Sequence, residues 1–439
     1  MSYRVVRIAN ISYKGALDRL RRDHPDLDSM SYDESLKALF GLGMIYTDAF
    51  SQGMRALGVE AIEIIADADS IQKKWADEHG LRLPADDSWR ALLVIAQIKH
   101  YRPDVVFFQD VHGLPRPFRQ DLKSLCPSVR LTVLHKGYPG QFDEMADFDL
   151  VYMSMPSLVD LYRDRGIPAE LHYHGFNGNI PDLMTSAGFT NGEKALDFSF
   201  IGSSGYGHGD GHRSRYWAMV RLFRETPMVA FTDEVFSQYG SRWARFQRAL
   251  RNVPGPLIEA HRVIRRLPGG DQIGAIADDM KFEARRREVI GGSFSSEWAP
   301  PCPISAIFPD RCRRPVYGLD MYHALARSHV TFNLHADATG DSVGNLRMFE
   351  ATGAGTCLLT DSGPNIRELF EPDTEVVTYA SLDEGIEKVR YLLSHPETCR
   401  EIAEAGQRRT LREHTVQMRV ANVDALIRQR LARRGARAK

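Results

Sequence analysis

Residues 331–360, TFNLHADATGDSVGNLRMFEATGAGTCLLT, read as strand, loop, helix, tight glycine turn and second strand. The apolar run 330–334 is short enough for a buried strand. Residues 356–359 repeat that character after Gly353 and Gly355, which let the backbone turn sharply. Residues 344–352, between the two runs, have helical spacing. Leu346, Phe349 and Gly353 lie at angles that face a core, and Glu350 falls at the edge of that stripe, partly shielded from water.

The same helix carries polar groups with a recognisable chemistry. A carboxylate at Glu350 can accept two hydrogen bonds from a ribose diol. The helix start, at Gly344 and Asn345, presents backbone N–H groups to a phosphate, and Arg347 can add a charge-assisted bond. Arg347 and Glu350 are three residues apart, so the pattern also fits an ordinary surface ion pair worth about 0.2–0.5 kcal/mol.

Alternation of short apolar runs with amphipathic stretches extends outward from this segment. Strands are expected at 3–9, 59–66, 104–108, 130–134, 150–152 and 169–174, with helices at 43–57, 88–100 and 157–166. After the polar stretch 177–193 the pattern restarts with a strand at 197–201, a helix at 216–223 and a strand at 228–231. Residues 241–287 are charged and expected to be helical, and 300–315 irregular. A helix at 320–327 precedes the opening segment, and 364–370 follows it as helix. A strand at 375–379 and helices at 382–394 and 397–430 close the chain. Such alternation favours parallel sheets covered by helices on both faces. The expected division is 1–176 as a first Rossmann-like α/β domain, 177–196 as linker, 197–415 as a second Rossmann-like α/β domain, and 416–439 as a terminal helix with a basic tail.

The 439 residues are 43% hydrophobic and 26% charged with a net charge of -1, which gives no reason to expect nucleic acid as a partner. No apolar run reaches the ~20 residues of a membrane span. With five scattered cysteines the expectation is reduced thiols and a cytoplasmic protein. The basic tail RQRLARRGARAK could make weak peripheral contact with anionic lipid, or simply be a solvated end.

Further candidate groups follow the predicted strands. The glycine-rich loop 202–211 after 197–201 carries Gly202 and Gly205, and Arg213 and Arg215 open the next helix, within reach of a diphosphate. Asp110 and His112 follow 104–108, and His135 follows 130–134; His112 and His135 lead as bases for an acceptor hydroxyl. His172, His174, His335, Asp337 and the loop 10–15 with Lys14 also end at the cleft side of strands. The acid pairs Asp67–Asp69 and Asp147–Asp149 resemble D-x-D metal sites but fall in ordinary strand or turn contexts, and no metal is expected.

Asn345, Arg347, Phe349 and Glu350, then Gly353 and Gly355, then Thr360, Asp361 and Gly363 form a pattern, N-x-R-x-F-E, small-residue turn, apolar strand, D-x-G. It resembles the donor-binding signature of GT-B glycosyltransferases, in particular the C-terminal module of the spore-maturation CgeB-like proteins. The resemblance covers about 317–430 well and the rest in architecture only. It implies an α/β GT-B fold, two Rossmann-like domains facing across a central cleft. It also implies metal-independent sugar transfer, with no cofactor, from a nucleoside diphosphate sugar to a glycan, lipid-linked or protein acceptor. Polysaccharide biosynthesis would be the setting. Glu350 would hold the ribose, and Gly344, Asn345, Arg347, the 202–211 loop with Arg213, His335 and Asp361 would surround the diphosphate. Related retaining enzymes carry a second glutamate eight positions earlier; Ser342 stands there. That departure keeps a sugar-nucleotide epimerase or hydrolase, or a non-catalytic sugar-nucleotide or glycan binder, as alternatives.

Overall fold

The structure, a computed structural model, describes residues 2–11, 13, 15–189, 193–205, 212–232 and 303–437. Among the described residues, twelve strands form two sheets. The first is built from β1 (Arg4–Ala9), β2 (Glu60–Ile65), β3 (Val105–Phe108), β4 (Leu131–Lys136), β5 (Leu150–Met153) and β6 (Ala169–Leu171), in the order β2-β1-β3-β4-β5-β6. The second contains β7 (Leu196–Ile201), β8 (Met228–Phe231), β9 (Cys312–Arg313), β10 (Ser328–Asn333), β11 (Cys357–Asp361) and β12 (Val377–Tyr379), in the order β12-β11-β10-β7-β8-β9. Every ladder is parallel. The central strands are apolar from end to end because helices cover both faces: all four residues of β3 and all four of β5 are buried. The chain therefore adopts the two-lobed α/β arrangement expected of a GT-B enzyme.

Strand order reverses between β1 and β3 in the first lobe and between β7 and β10 in the second. In open parallel sheets the crevice for ligands lies beyond the C-terminal strand ends at such points. The two lobes meet on that side. Ser157 Oγ donates to the Thr339 carbonyl at 2.7 Å, and Tyr173 Oη donates to Glu368 at 2.9 Å. Tyr13 and Tyr317 lie against each other as a tilted pair with ring centroids 3.8 Å apart.

Several elements differ from expectation. The stretch 177–193 contains a helix, Ile180–Ser186, whose Ile180 and Met184 are buried against the second lobe. Residues 300–315, expected to be irregular, hold the short helix Ile304–Ile307 and β9. Strand β6 stops at Leu171, leaving His172 and His174 in the loop beyond it. The helical spacing at 43–57 is realised only as Ala49–Ala56. Helices Ala16–Asp23, Tyr32–Gly41 and Asp69–Glu78 fill out the first lobe. The charged stretch 241–287, Lys14, Cys302 and the middle of the glycine loop lie outside the described residues.

The expected single helix 397–430 is two, Pro396–Glu413 and Val416–Arg437. The break is imposed from a distance: Thr415 bridges Phe176, the Phe176 N–H donates to the His414 carbonyl at 2.8 Å, and the Val416 N–H donates to the Phe176 carbonyl at 2.8 Å. The last helix then crosses to the first lobe. Val420, Val423, Ile427 and Leu431 pack with Val5, Phe50, Met54 and Phe107. Gly53 permits this, since a Cβ there would lie 2.9 Å from the Gln417 Cα. Arg430 and Arg434 of the tail pair with Glu170 and Asp149 on the same lobe.

Candidate functional site

The helix Leu346–Gly353 follows β10 and precedes β11, so its start lies at the crevice side of the second sheet. Asn345 is its N-cap, with the side chain accepting from the Met348 N–H at 3.3 Å and donating to Asn333 Oδ1 at 2.9 Å. One turn on, Glu350 is only 3% exposed, and Arg347 Nη1 stands 2.7 Å from its Oε2. The ion pair therefore exists but is buried rather than solvated, and a buried pair is held for reasons other than the small stability of a surface one. Burial pushes the Glu350 carboxyl up from the usual carboxylate range, with the Arg347 charge pulling back.

Residues of both lobes surround this carboxylate. Burial, then the Glu350 charge, raises the Tyr13 and Tyr322 hydroxyls above the ordinary tyrosine value. The Tyr46 hydroxyl is pushed up to about 12 by burial and then by Asp110, with a smaller contribution from Glu350. Asp110 of the first lobe and Glu350 of the second thus both raise the Tyr46 hydroxyl. Tyr13 belongs to the loop 10–15 expected at the cleft, whereas the loop around Tyr46 gave no motif in the sequence.

The helix start is arranged differently from the expectation of free N–H groups. The Gly344 and Asn345 N–H groups both donate to His335 Nε2, at 2.9 and 3.1 Å. His335 Nδ1 stands 2.7 Å from Asp361 Oδ1, and both side chains are buried. Leu346 and Arg347 open the helix Leu346–Gly353, where first-turn N–H groups have no intrahelical acceptor. His335 and Asp361 are thus engaged with the protein itself.

At the reversal point between β7 and β10, Arg215 spans the two strand ends. Its guanidinium donates to the Ser203 carbonyl at 3.4 Å and to the Leu334 carbonyl at 2.6 Å. Its buried Nε has no partner, and burial lowers its proton affinity, offset in part by Asp337 and Asp361. Gly202 and Gly205 occupy the loop after β7 with φ of +154° and +96°. A Cβ at Gly205 would collide with the His212 carbonyl, so this position requires glycine. Arg213 is the first residue of the helix Arg213–Glu225, but the start of that helix already holds an anion: Asp337 accepts from the Ser214 N–H at 3.1 Å and from its hydroxyl.

The two leading histidines have unlike surroundings. His135 is buried, its Nδ1 2.8 Å from Gln109 Nε2 and its Nε2 3.0 Å from Ser154 Oγ. Burial and the neighbouring His172 and His174 hold it far on the neutral side. His112, in contrast, has a side chain 75% exposed, with Nε2 3.4 Å from Asp110 Oδ1. Asp110 also accepts from the His112 N–H at 3.0 Å and lies 3.4 Å from Lys136 Nζ. A cavity of about 340 Å³ opens at the mouth of the cleft, lined from the first lobe by Ala16, Arg19 and Arg22 and from the second by Val316, Tyr317 and Asp320.

The D-x-D pairs serve the fold. Asp67 accepts from the Ile11 N–H at 2.6 Å, Asp69 pairs with Arg90, Asp147 with Arg116, and Asp149 with Lys123. Among the described residues no group of three or more His, Cys, Asp or Glu could hold a metal ion, and no helix is long and apolar enough to cross a membrane.

Among solved structures the chain is similar to sucrose-phosphate synthase from Thermosynechococcus elongatus at 10% identity, covering 98% of this chain and 99% of that one with a TM-score of 0.49. It is similar to HepE from Anabaena, solved with UDP and glucose, at 10% identity, covering 97% and 100% with a TM-score of 0.48. A third is α,α-trehalose 6-phosphate synthase from Burkholderia multivorans, at 13% identity, covering all of both chains with a TM-score of 0.46. No curated protein matches the sequence. Residues 273–425 match the sequence model of the family described as glycosyl transferase-like, a span that contains the whole strand–helix–strand unit carrying His335, Arg347, Glu350 and Asp361.

Proposed function

We propose that this chain transfers a hexose-like unit from a nucleoside diphosphate sugar to a glycan, lipid-linked or protein acceptor without a metal ion. The observation that carries this reading is the buried Glu350–Arg347 pair one turn beyond the open Leu346 and Arg347 N–H groups. Glu350 accepts the ribose hydroxyls, exchanging part of its interaction with Arg347 for them. The helix start and Arg215 hold the diphosphate. Fixed dipoles and a buried guanidinium stabilise the charge that develops on a leaving diphosphate, which is the work a metal would otherwise do. Of the two candidate bases, His112 has the access and Asp110 the position to orient it, so His112 receives the acceptor proton along an inverting route. The mouth cavity, with charged side chains around Tyr317, suits a sugar ring of the acceptor. Buried free thiols at Cys126, Cys312, Cys357 and Cys399 support a cytoplasmic site of action.

Thermal-shift titration with UDP-, GDP-, dTDP-, CMP- and ADP-sugars tests the donor site, because a ligand that prefers the folded state raises the melting temperature. One nucleotide sugar should stabilise the protein, and Glu350→Gln should weaken its binding about 10- to 100-fold, the effect of losing a hydrogen bond to a charged group. No stabilisation by any of them would refute the reading. Nucleotide release that needs no acceptor would assign a hydrolase. Ser342, where retaining enzymes carry an acid, accepts instead from the Ser157 N–H at 3.2 Å, so binding without release would assign a sugar-nucleotide-binding protein.

A further inference from the structure

We infer that His335 and Asp361 form a positioning pair in which Asp361 selects the imidazole tautomer that holds the phosphate-facing turn open for the donor. The assignment rests on donors and acceptors alone. Two backbone N–H groups, of Gly344 and Asn345, point at His335 Nε2 from 2.9 and 3.1 Å, and a backbone N–H can only donate. Nε2 must therefore carry its lone pair, and the proton sits on Nδ1, which donates to Asp361 Oδ1 at 2.7 Å. Asp361 is fixed in turn by the His335 N–H at 3.2 and 3.3 Å to its two oxygens and by Thr360 Oγ1 at 3.3 Å. The ring thus joins the end of β11 to the turn that opens the helix Leu346–Gly353.

The consequence lies in the next residues of the chain. Gly344 sits at φ +139°, a backbone state that side-chain-bearing residues rarely adopt. With the Gly344 and Asn345 N–H groups satisfied by one nitrogen, the turn is pinned, and the following two N–H groups, of Leu346 and Arg347, are presented side by side. The opposite tautomer would direct an Nε2–H at two other N–H groups and force the turn away. His335 therefore acts through the backbone it orients and does not itself touch the donor.

This inference rests on the donor-site reading above, and its test separates the two. Binding of the stabilising nucleotide sugar, or its nucleoside diphosphate, is measured for wild type, Asp361→Asn, His335→Ala, His335→Gln and the His335→Gln/Asp361→Asn double variant, with folding checked by unliganded melting and circular dichroism. An Asn at 361 can offer its amide N–H to Nδ1 and so favours the wrong tautomer. Binding should fall about 10- to 100-fold in Asp361→Asn and His335→Ala. A Gln at 335 places a carbonyl oxygen near the Nε2 position and has no tautomer, so His335→Gln should bind within about 3-fold of wild type, and the double variant should bind better than Asp361→Asn alone. A merely structural role would make the double variant worse than either single one, and that result would overturn the inference. Equal binding by wild type and Asp361→Asn would overturn it too. If Asp361→Asn does not fold, the comparison of His335→Gln with His335→Ala decides, and equal loss in both refutes the proposal. If wild type binds no nucleotide, the donor reading fails and takes this inference with it.

Discussion

Lowering the pH from 7 to 5 should destabilise the chain through the histidines beside the lobe contact. Burial and the positive charge of Arg419 hold His172 at about 3, His174 at about 4 and His414 at about 4, all depressed from 6.5. His135 shifts the same way, through burial and its histidine neighbours. The folded state keeps these rings neutral while the unfolded chain protonates them, so the unfolded state binds more protons and stability falls with pH. The loss begins at the unfolded value near 6.5 and continues down to about 3, the folded value of His172. At pH 5 an unfolded imidazole gains about 2 kcal/mol from protonation that a folded ring of this kind does not. Summed over His172, His174 and His414 this is about 6 kcal/mol; His172 and His174 keep some solvent contact, which screens part of the effect, so about 3 kcal/mol is expected from these three. Glu63 and Glu350, raised by burial, act in the opposite sense, which is why a difference between variants is the sounder measurement. With an unfolding entropy of about 0.9 kcal/mol/K for a chain of this length, melting followed by circular dichroism should show the wild-type midpoint falling about 3 °C from pH 7 to 5. A His172→Asn/His174→Asn variant should lose roughly half of that dependence. An unchanged midpoint at pH 5, or an identical slope in the double variant, would refute the argument.

Gly344→Ala should weaken nucleotide-sugar binding about 10-fold and lower stability by about 1–3 kcal/mol through backbone strain. The reason is local: a Cβ would lie 2.9 Å from the Tyr173 ring and 3.3 Å from the Ser154 carbonyl, prying the lobes apart at the turn. Titration calorimetry together with melting checks both numbers. Arg215→Ala should reduce affinity for the nucleoside diphosphate about 10- to 100-fold while leaving affinity for the free nucleoside unchanged, because only the phosphates use the guanidinium. Equal losses for both ligands would place Arg215 outside the phosphate site.

Much of the scaffold was legible because buried parallel strands are short apolar runs. Residues 228–231 match β8 residue for residue, and the helix carrying Glu350 lies within two residues of its expected start. Ser31 and Glu34 form a capping box that is itself a readable signature, so the helix Tyr32–Gly41 was within reach of sequence reasoning. What the sequence could not show are features fixed by partners far along the chain. The helical spacing through 397–430 has no glycine or proline at His414 and Thr415, and the break there comes from Phe176, more than two hundred residues upstream. The role of His335 depends on Asp361 and on the 344–345 turn, which meet only once β10 and β11 are paired. Tyr13, Tyr46 and Tyr322 converge on Glu350 from three separate segments, and no local pattern announces that.

The chain passes between its lobes twice, at Phe176 and at Thr415, and the two crossings are hydrogen-bonded to each other. The lobes touch again where Tyr13 meets Tyr317 and Arg19 pairs with Asp320. A stop codon at the second crossing would leave the strands of the second sheet in the chain, yet strip a wall from the first lobe and lay Val5, Phe50 and Phe107 open to water.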